Sequence, residues 1–211
     1  INTSCYALAL AKRLNLSKAD TTTLFTSSFL HDIGKICTPQ RILEAPGKLT
    51  PEDMGIMKHH VNHSKRLLKD LIPDEILETI YRHHEKLNGS GYPKKLNKDE
   101  LTQIQRILTV ADITSALFDS RSYKHEFSKE QTLAIIRQMT DNEELDRGIT
   151  DILCNNFDSI QEELPRLQEI LTVDYSSVIR EFNNYLFSST YDLWSNNFDD
   201  NIEELEELKE A

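Results

Sequence analysis

A chain of 211 residues with 38% hydrophobic and 28% charged side chains can bury the core of one domain and carry an appendage. Its net charge of -11 argues against a nucleic-acid polymer as partner, since such a surface is normally basic, and admits an anionic small substrate only where local cations or metal ions offset the field. No window reaches the roughly 20 apolar residues of a membrane span, no charged-then-apolar leader opens the chain, and three scattered cysteines without a CxxC pair suit a reducing, cytoplasmic setting as buried structural thiols.

The pattern is helical almost throughout, so the expected fold class is all-α, a compact multi-helix bundle. Leu8, Leu10, Ala11 and Leu14 mark a first helix over 4–15, and a second runs over 17–32 with Gly34 placed to end it in a left-handed turn. Thr50 and Pro51 supply an N-cap and first position for a helix continuing to Lys69. Its buried face runs through Ile56, His60, Ser64 and Leu67, which leaves His59 and His63 with Gly55 and Arg66 on the wetter side. A fourth helix follows Pro73 and ends near His84. Gly89, Gly91 and Pro93 make 86–95 a loop. Asn97 and Glu100 have capping-box spacing for a helix over 98–118, and Ser128 and Gln131 repeat that signal for the next. Beyond Leu164 the chain reads as helical, ending in an acidic amphipathic segment with Ile202, Leu205 and Leu208 on one side. Residues 1–160 are assigned to one domain and 161–211 to a C-terminal helical extension.

Of seven histidines, all but His125 lie between 31 and 84, and three of them, with Asp32, form the vicinal pairs His31-Asp32 and His83-His84. Adjacent side chains on a helix diverge by about 100°, so each pair is expected to serve two ions, spaced ~3.5–4 Å apart as in two-metal hydrolases, with Asp32 as the bridge. Asp112 interrupts an apolar helix marked by Leu101, Ile104, Leu108, Ala111 and Leu117. A carboxylate there is costly unless paired or on a metal, or else it faces water at the helix edge.

The ordered series "HDIGK", "APGKLT", "MKHH", "HHE", "GSGYP", "VAD" and "RSYK" resembles the HD-GYP family, bacterial HD-superfamily phosphodiesterases acting on cyclic dinucleotides. The resemblance implies an HD-domain bundle whose metal ligands are His31, Asp32, His60, His83, His84 and Asp112. It implies two or three transition-metal ions, iron or manganese, that acidify a bridging water for attack on phosphorus. Lys35 and Asp32 are its catalytic residues, Lys35 holding charge on the phosphoryl oxygens or protonating the departing 3′ oxygen. Arg121 and Lys124 match its phosphate-holding cations. Gly91 and Tyr92 of the signature lie on the substrate side, Tyr92 stacking on a base or packing the loop over the site. The implied substrate is cyclic di-GMP, with cyclic GMP-AMP as the variant, and the implied partners are a signalling domain or a second copy.

Two departures stand out. The family's first-helix histidine falls just before Ile1, so the chain reads as a fragment lacking the start of that helix, or as one that has replaced the ligand. Asn88 stands where an aspartate is common. A receptor module that binds ligand without turnover, and a general HD-superfamily nucleotide phosphohydrolase, are the competing readings; "GSGYP" and "RSYK" argue against the second.

Overall fold

The computed structural model describes residues 1–118 and 127–172, and within them every regular element is helical. In chain order these are α1 (Asn2–Arg13), α2 (Lys18–Leu30), a 3-10 helix (Ile33–Cys37), α3 (Gln40–Leu43), α4 (Pro51–Lys58), α5 (His60–Leu68) and α6 (Asp74–Tyr81). A second 3-10 helix (Lys98–Glu100), α7 (Gln103–Phe118), α8 (Lys129–Asp141) and α9 (Arg147–Asn155) follow, and residues 157–172 are helical.

The core forms around α1, which packs on α7, α2 and α9. Ser4, Cys5, Ala7, Ala9 and Ala11 are buried, and their small volumes let neighbouring helices approach closely. Tyr6 and Leu10 fill the remaining space, while Leu8 and Leu14 are only half-buried. A stripe of leucines is therefore the wrong guide to a helix enclosed on nearly every side. Against α1 lies α7, whose Ile107, Leu108, Val110 and Ala111 are fully enclosed. Burying a side chain such as leucine or isoleucine contributes about 1.5–3 kcal/mol.

Hydroxyl caps form at three helices, and those at Thr50 and Ser128 follow the sequence. Ser17, Thr50 and Ser128 accept the backbone N–H of Asp20, Asp53 and Gln131 through their hydroxyls, at 3.1, 3.1 and 3.3 Å. The Asn97–Glu100 capping box also forms, but it closes on the short 3-10 helix. Helix α7 starts later, at a reciprocal pair: Thr102 Oγ1 accepts from the Gln105 N–H at 3.3 Å, and Gln105 Oε1 accepts from the Thr102 N–H at 3.1 Å.

Three expectations change. The helix from Pro51 to Lys69 is broken at His59, whose N–H bonds tightly back to Ile56 O while the His60 ring takes the Met57 carbonyl. Beyond the break Val61 is buried and Leu67 is 40% exposed, so the predicted inner face fails at Leu67 and holds at His60 and Ser64. Gly34 makes no left-handed turn. It is buried, and a Cβ there would stand 2.0 Å from His60 O and 2.4 Å from Ser64 N. Glycine is needed for close approach to α5. Cys5 is buried as expected, but Cys37 is exposed and Cys154 half-buried.

The chain divides into a unit Ile1–Gln168 and a second, Glu169–Ala211, described only as far as residue 172. Residues 161–168, read from sequence as extension, belong to the first unit: Gln161 Nε2 donates to Tyr6 Oη at 2.8 Å, Glu163 pairs with Lys12 and Arg13, and Leu164 is buried. The acidic amphipathic end lies outside the described residues. No helix among those described is long and apolar enough to cross a membrane.

Candidate metal centre

Four segments converge beside α7. His31 and Asp32 follow the end of α2, and Lys35 lies on the 3-10 helix after them. His60 opens α5, His83 and His84 occupy the turn after α6, and Asp112 comes from the middle of α7. Three rings are anchored alike: Nδ1 of His31, His60 and His83 lies 2.7, 2.8 and 2.6 Å from the carbonyls of Ser28, Met57 and Ile80. A carbonyl can only accept, so each ring donates from Nδ1 and turns Nε2 inward. Thr109 Oγ1 donates to the His83 carbonyl at 3.0 Å. Ser64 Oγ accepts the Gly34 N–H at 2.9 Å and donates to His31 O at 3.2 Å, tying α5 to the His31 segment.

The inward atoms form two overlapping clusters able to hold metal, Asp32-His60-His83-His84 and His31-His83-Asp112, each with ligand atoms within 4.8 Å of one another. The vicinal pair His31-Asp32 divides between them. His83 and His84 do not: they join the same cluster, their ring centroids 3.9 Å apart. The 100° divergence belongs to helix interiors, and both pairs lie in turns beyond their helices, α2 and α6, so it decides neither. His31 Nε2 stands 3.3 Å from Asp32 Oδ2 and 3.3 Å from Asp112 Oδ1, and His60 Nε2 lies 3.4 Å from Asp32 Oδ1.

Two features make these residues fit a cation. His60 Nε2 faces His83 Nε2 at 3.4 Å, and with both Nδ1 atoms donating outward the neutral rings present lone pair to lone pair. Asp32 Oδ1 is buried beside them without a hydrogen-bond partner. Acceptors gathered in this way repel unless positive charge sits among them.

Burial pushes His60 and His83 below the ordinary imidazole value, so both are neutral. Burial likewise brings His84 down to about 4, against the pull of Asp112. His31 moves the other way: burial opposes its charge, but contacts with Asp112 and Asp32 raise it to about 10. Burial also opposes ionisation of Asp32 and Asp112, yet their contacts with His31 hold both well below the usual carboxylate range. Without metal, the proton on His31 partly neutralises the two carboxylates.

The remaining sequence candidates fall around this centre. Lys35 Nζ lies 2.5 Å from Asp32 Oδ2. Tyr92 packs over the site, its ring stacked on His84 at 4.7 Å between centroids. Gly91 is buried, and a Cβ there would meet Glu85 Cα at 2.5 Å and Lys86 N at 2.5 Å, so backbone packing accounts for the glycine. Asn88 uses both ends of its amide: Oδ1 accepts from Ser90, and Nδ2 donates to Asn142 O, which an aspartate cannot do. His59 is exposed on the far side of the break, stacked on His63. Arg121 and Lys124 lie outside the described residues.

Sequence reasoning missed Glu85. This carboxylate is 1% exposed and accepts the Lys94 and Leu96 backbone N–H groups at 2.5 and 2.9 Å, tethering the loop that carries Tyr92. Its signal was present in "HHE", where an acid follows two ligand candidates.

A family described as "HD domain" matches residues 2–149. The chain is 37% identical over 134 residues to the "3'3'-cGAMP-specific phosphodiesterase 3" of Vibrio cholerae, covering 63% of this chain and 29% of that protein. To the "Cyclic di-GMP phosphodiesterase response regulator RpfG" of Xanthomonas campestris it is 36% identical over 130 residues, 60% of this chain and 34% of that one. The chain thus spans about a third of the length of these curated relatives. Among solved structures, Bd1817, an HDG"Y"P protein from Bdellovibrio bacteriovorus, shares the fold with a TM-score of 0.61 at 20% identity, over 75% of this chain and 51% of that one.

Proposed function

The chain belongs to the HD domain family, and from that premise we propose that it hydrolyses a phosphodiester bond of a cyclic dinucleotide, cyclic di-GMP or 3′3′-cGAMP, at the histidine–aspartate centre. The observation that carries this reading is the opposition of unprotonated His60 and His83 nitrogens beside the unpartnered oxygen of Asp32. The relatives' named substrates supply the substrate class.

In this reading His31, Asp32, His60, His83, His84 and Asp112 hold two or more metal ions, and mixed imidazole and carboxylate donors suit iron or manganese. When bound, the ions supply positive charge for the phosphoryl oxygens and acidify a water for attack on phosphorus. Asp32 turns one oxygen towards His60 and the other towards His31, so it can serve both halves of the centre. Lys35, held against Asp32, offers a proton to the departing 3′ oxygen or charge to the phosphoryl group. Tyr92 covers one face of the His84 ring. Arg121 and Lys124 keep their proposed role as phosphate cations. Residues up to Gln168 form the proposed catalytic module, and the free thiols accord with a cytoplasmic setting.

The test is direct. Protein prepared without chelators and loaded with manganese or iron(II) is incubated with each cyclic dinucleotide, and products are separated by chromatography. Metal-dependent loss of at least one substrate, with a linear or mononucleotide product, is expected. If neither is consumed by metal-loaded protein, the reading is overturned.

A further inference from the structure

Lys58 closes α4 two residues before His60, on the exposed face of the helix, and the mechanism above gives it no role. Its Nζ stands 5.1 Å from the centroid of the Tyr92 ring, and that ring is itself stacked on His84. Tyr92 thus touches both an exposed cation and an imidazole of the centre. Among the described residues Lys58 makes no ion pair, although carboxylates are abundant in a chain of net charge -11 and Lys35, Lys65 and Lys129 are each paired. A cation over an aromatic face is stabilised modestly and keeps its hydrogen-bond donors free.

A cyclic dinucleotide carries two phosphodiesters, and only one can lie at the metal centre in a given turnover. The other must be placed against an acidic protein, where an anion lacking a local cation is repelled. We propose that Lys58, held over Tyr92, is the positioning residue that receives the phosphodiester not being cleaved, so that it selects substrates with two phosphates over those with one. This inference rests on the cyclic dinucleotide reading above. Its chemistry is charge-assisted hydrogen bonding to a phosphate from an ammonium held at the Tyr92 ring.

The test compares wild type, Lys58→Ala and Lys58→Arg, loaded with manganese, on the cyclic dinucleotide and on bis(p-nitrophenyl) phosphate, a diester with one phosphate. For Lys58→Ala the ratio of kcat/KM on the cyclic substrate to kcat/KM on the single-phosphate substrate should fall roughly tenfold or more, the size of one charge-assisted contact. The loss should lie in KM, and its dependence on salt should weaken. Lys58→Arg should restore most of the ratio. An unchanged ratio in Lys58→Ala, or a loss shared by both substrates, overturns the inference while the parent reading stands. A wild type that cleaves the single-phosphate diester and neither cyclic dinucleotide overturns both.

Discussion

His59 and His60 are neighbours with opposite surroundings. Helical spacing makes His59 and His63 the better chelating pair, since residues four apart share a face, yet His59 is exposed and it is His60, 1% exposed, that meets His83 and Asp32. His60→Ala is therefore expected to lose metal and phosphodiesterase activity together. His59→Ala and His63→Ala should keep most of both. Elemental analysis and turnover of each single variant check this, and loss of metal from His59→Ala with retention in His60→Ala would mean that the centre has been built from the wrong face of the helix.

Between elements, the decisive contact is the approach of the 3-10 helix to α5. Gly34 lies so close to the backbone of His60 and Ser64 that a methyl group can be admitted only if α5 moves. Gly34→Ala should cost about 1–3 kcal/mol, as overpacking does, and should also weaken metal binding, because His60 moves with its helix. Gly55 on α4 provides the contrast, with nothing within 4 Å of an added Cβ. Gly55→Ala should stabilise by up to about 1 kcal/mol through helix propensity and leave metal affinity unchanged. Denaturant melts with and without manganese measure both. Equal effects from the two substitutions would remove the steric account of Gly34.

For the whole molecule, the centre makes stability depend on pH in opposite senses on either side of neutrality. His31 is raised to about 10, so its contribution is complete below the ordinary imidazole value of about 6.5 and is lost as pH rises through about 10. His84 is lowered to about 4, so the unfolded chain takes up its proton first, and stability falls as pH drops from about 6.5 towards 4. Asp32 and Asp112, held low, contribute above the ordinary carboxylate value and lose that contribution in acid. The chelator-treated protein should melt highest near neutrality and lower on both sides. Manganese must displace the His31 proton, so the rise in Tm that it brings should be larger at pH 8 than at pH 6. A chelated protein whose Tm climbs steadily from pH 7 to 10 would contradict the raised His31.

The helical class, the caps at Thr50 and Ser128 and the side chains that gather in the two clusters were legible in the sequence, whereas α3, α9 and the break at His59 were not. Apolar spacing and capping residues act locally, and paired histidines with a carboxylate inside an apolar helix are chemically conspicuous. His60 could be chosen over His59 because it shares a face with Ser64 one turn on, a spacing that lies wholly beyond the break at His59. Other features arise where elements meet. Adjacent His83 and His84 share one cluster in the turn beyond α6 while His31 and Asp32, in the turn beyond α2, divide, and Gly34 is required by a helix some thirty residues away. The role of Glu85 depends on backbone donors from Lys94 and Leu96, groups that every residue except proline possesses and no sequence pattern marks. Sequence by itself determined which side chains could carry the chemistry, since that is set by residue type and local periodicity. Tertiary structure alone decided which of their atoms face one another, because distances across loops depend on packing between segments that are remote along the chain.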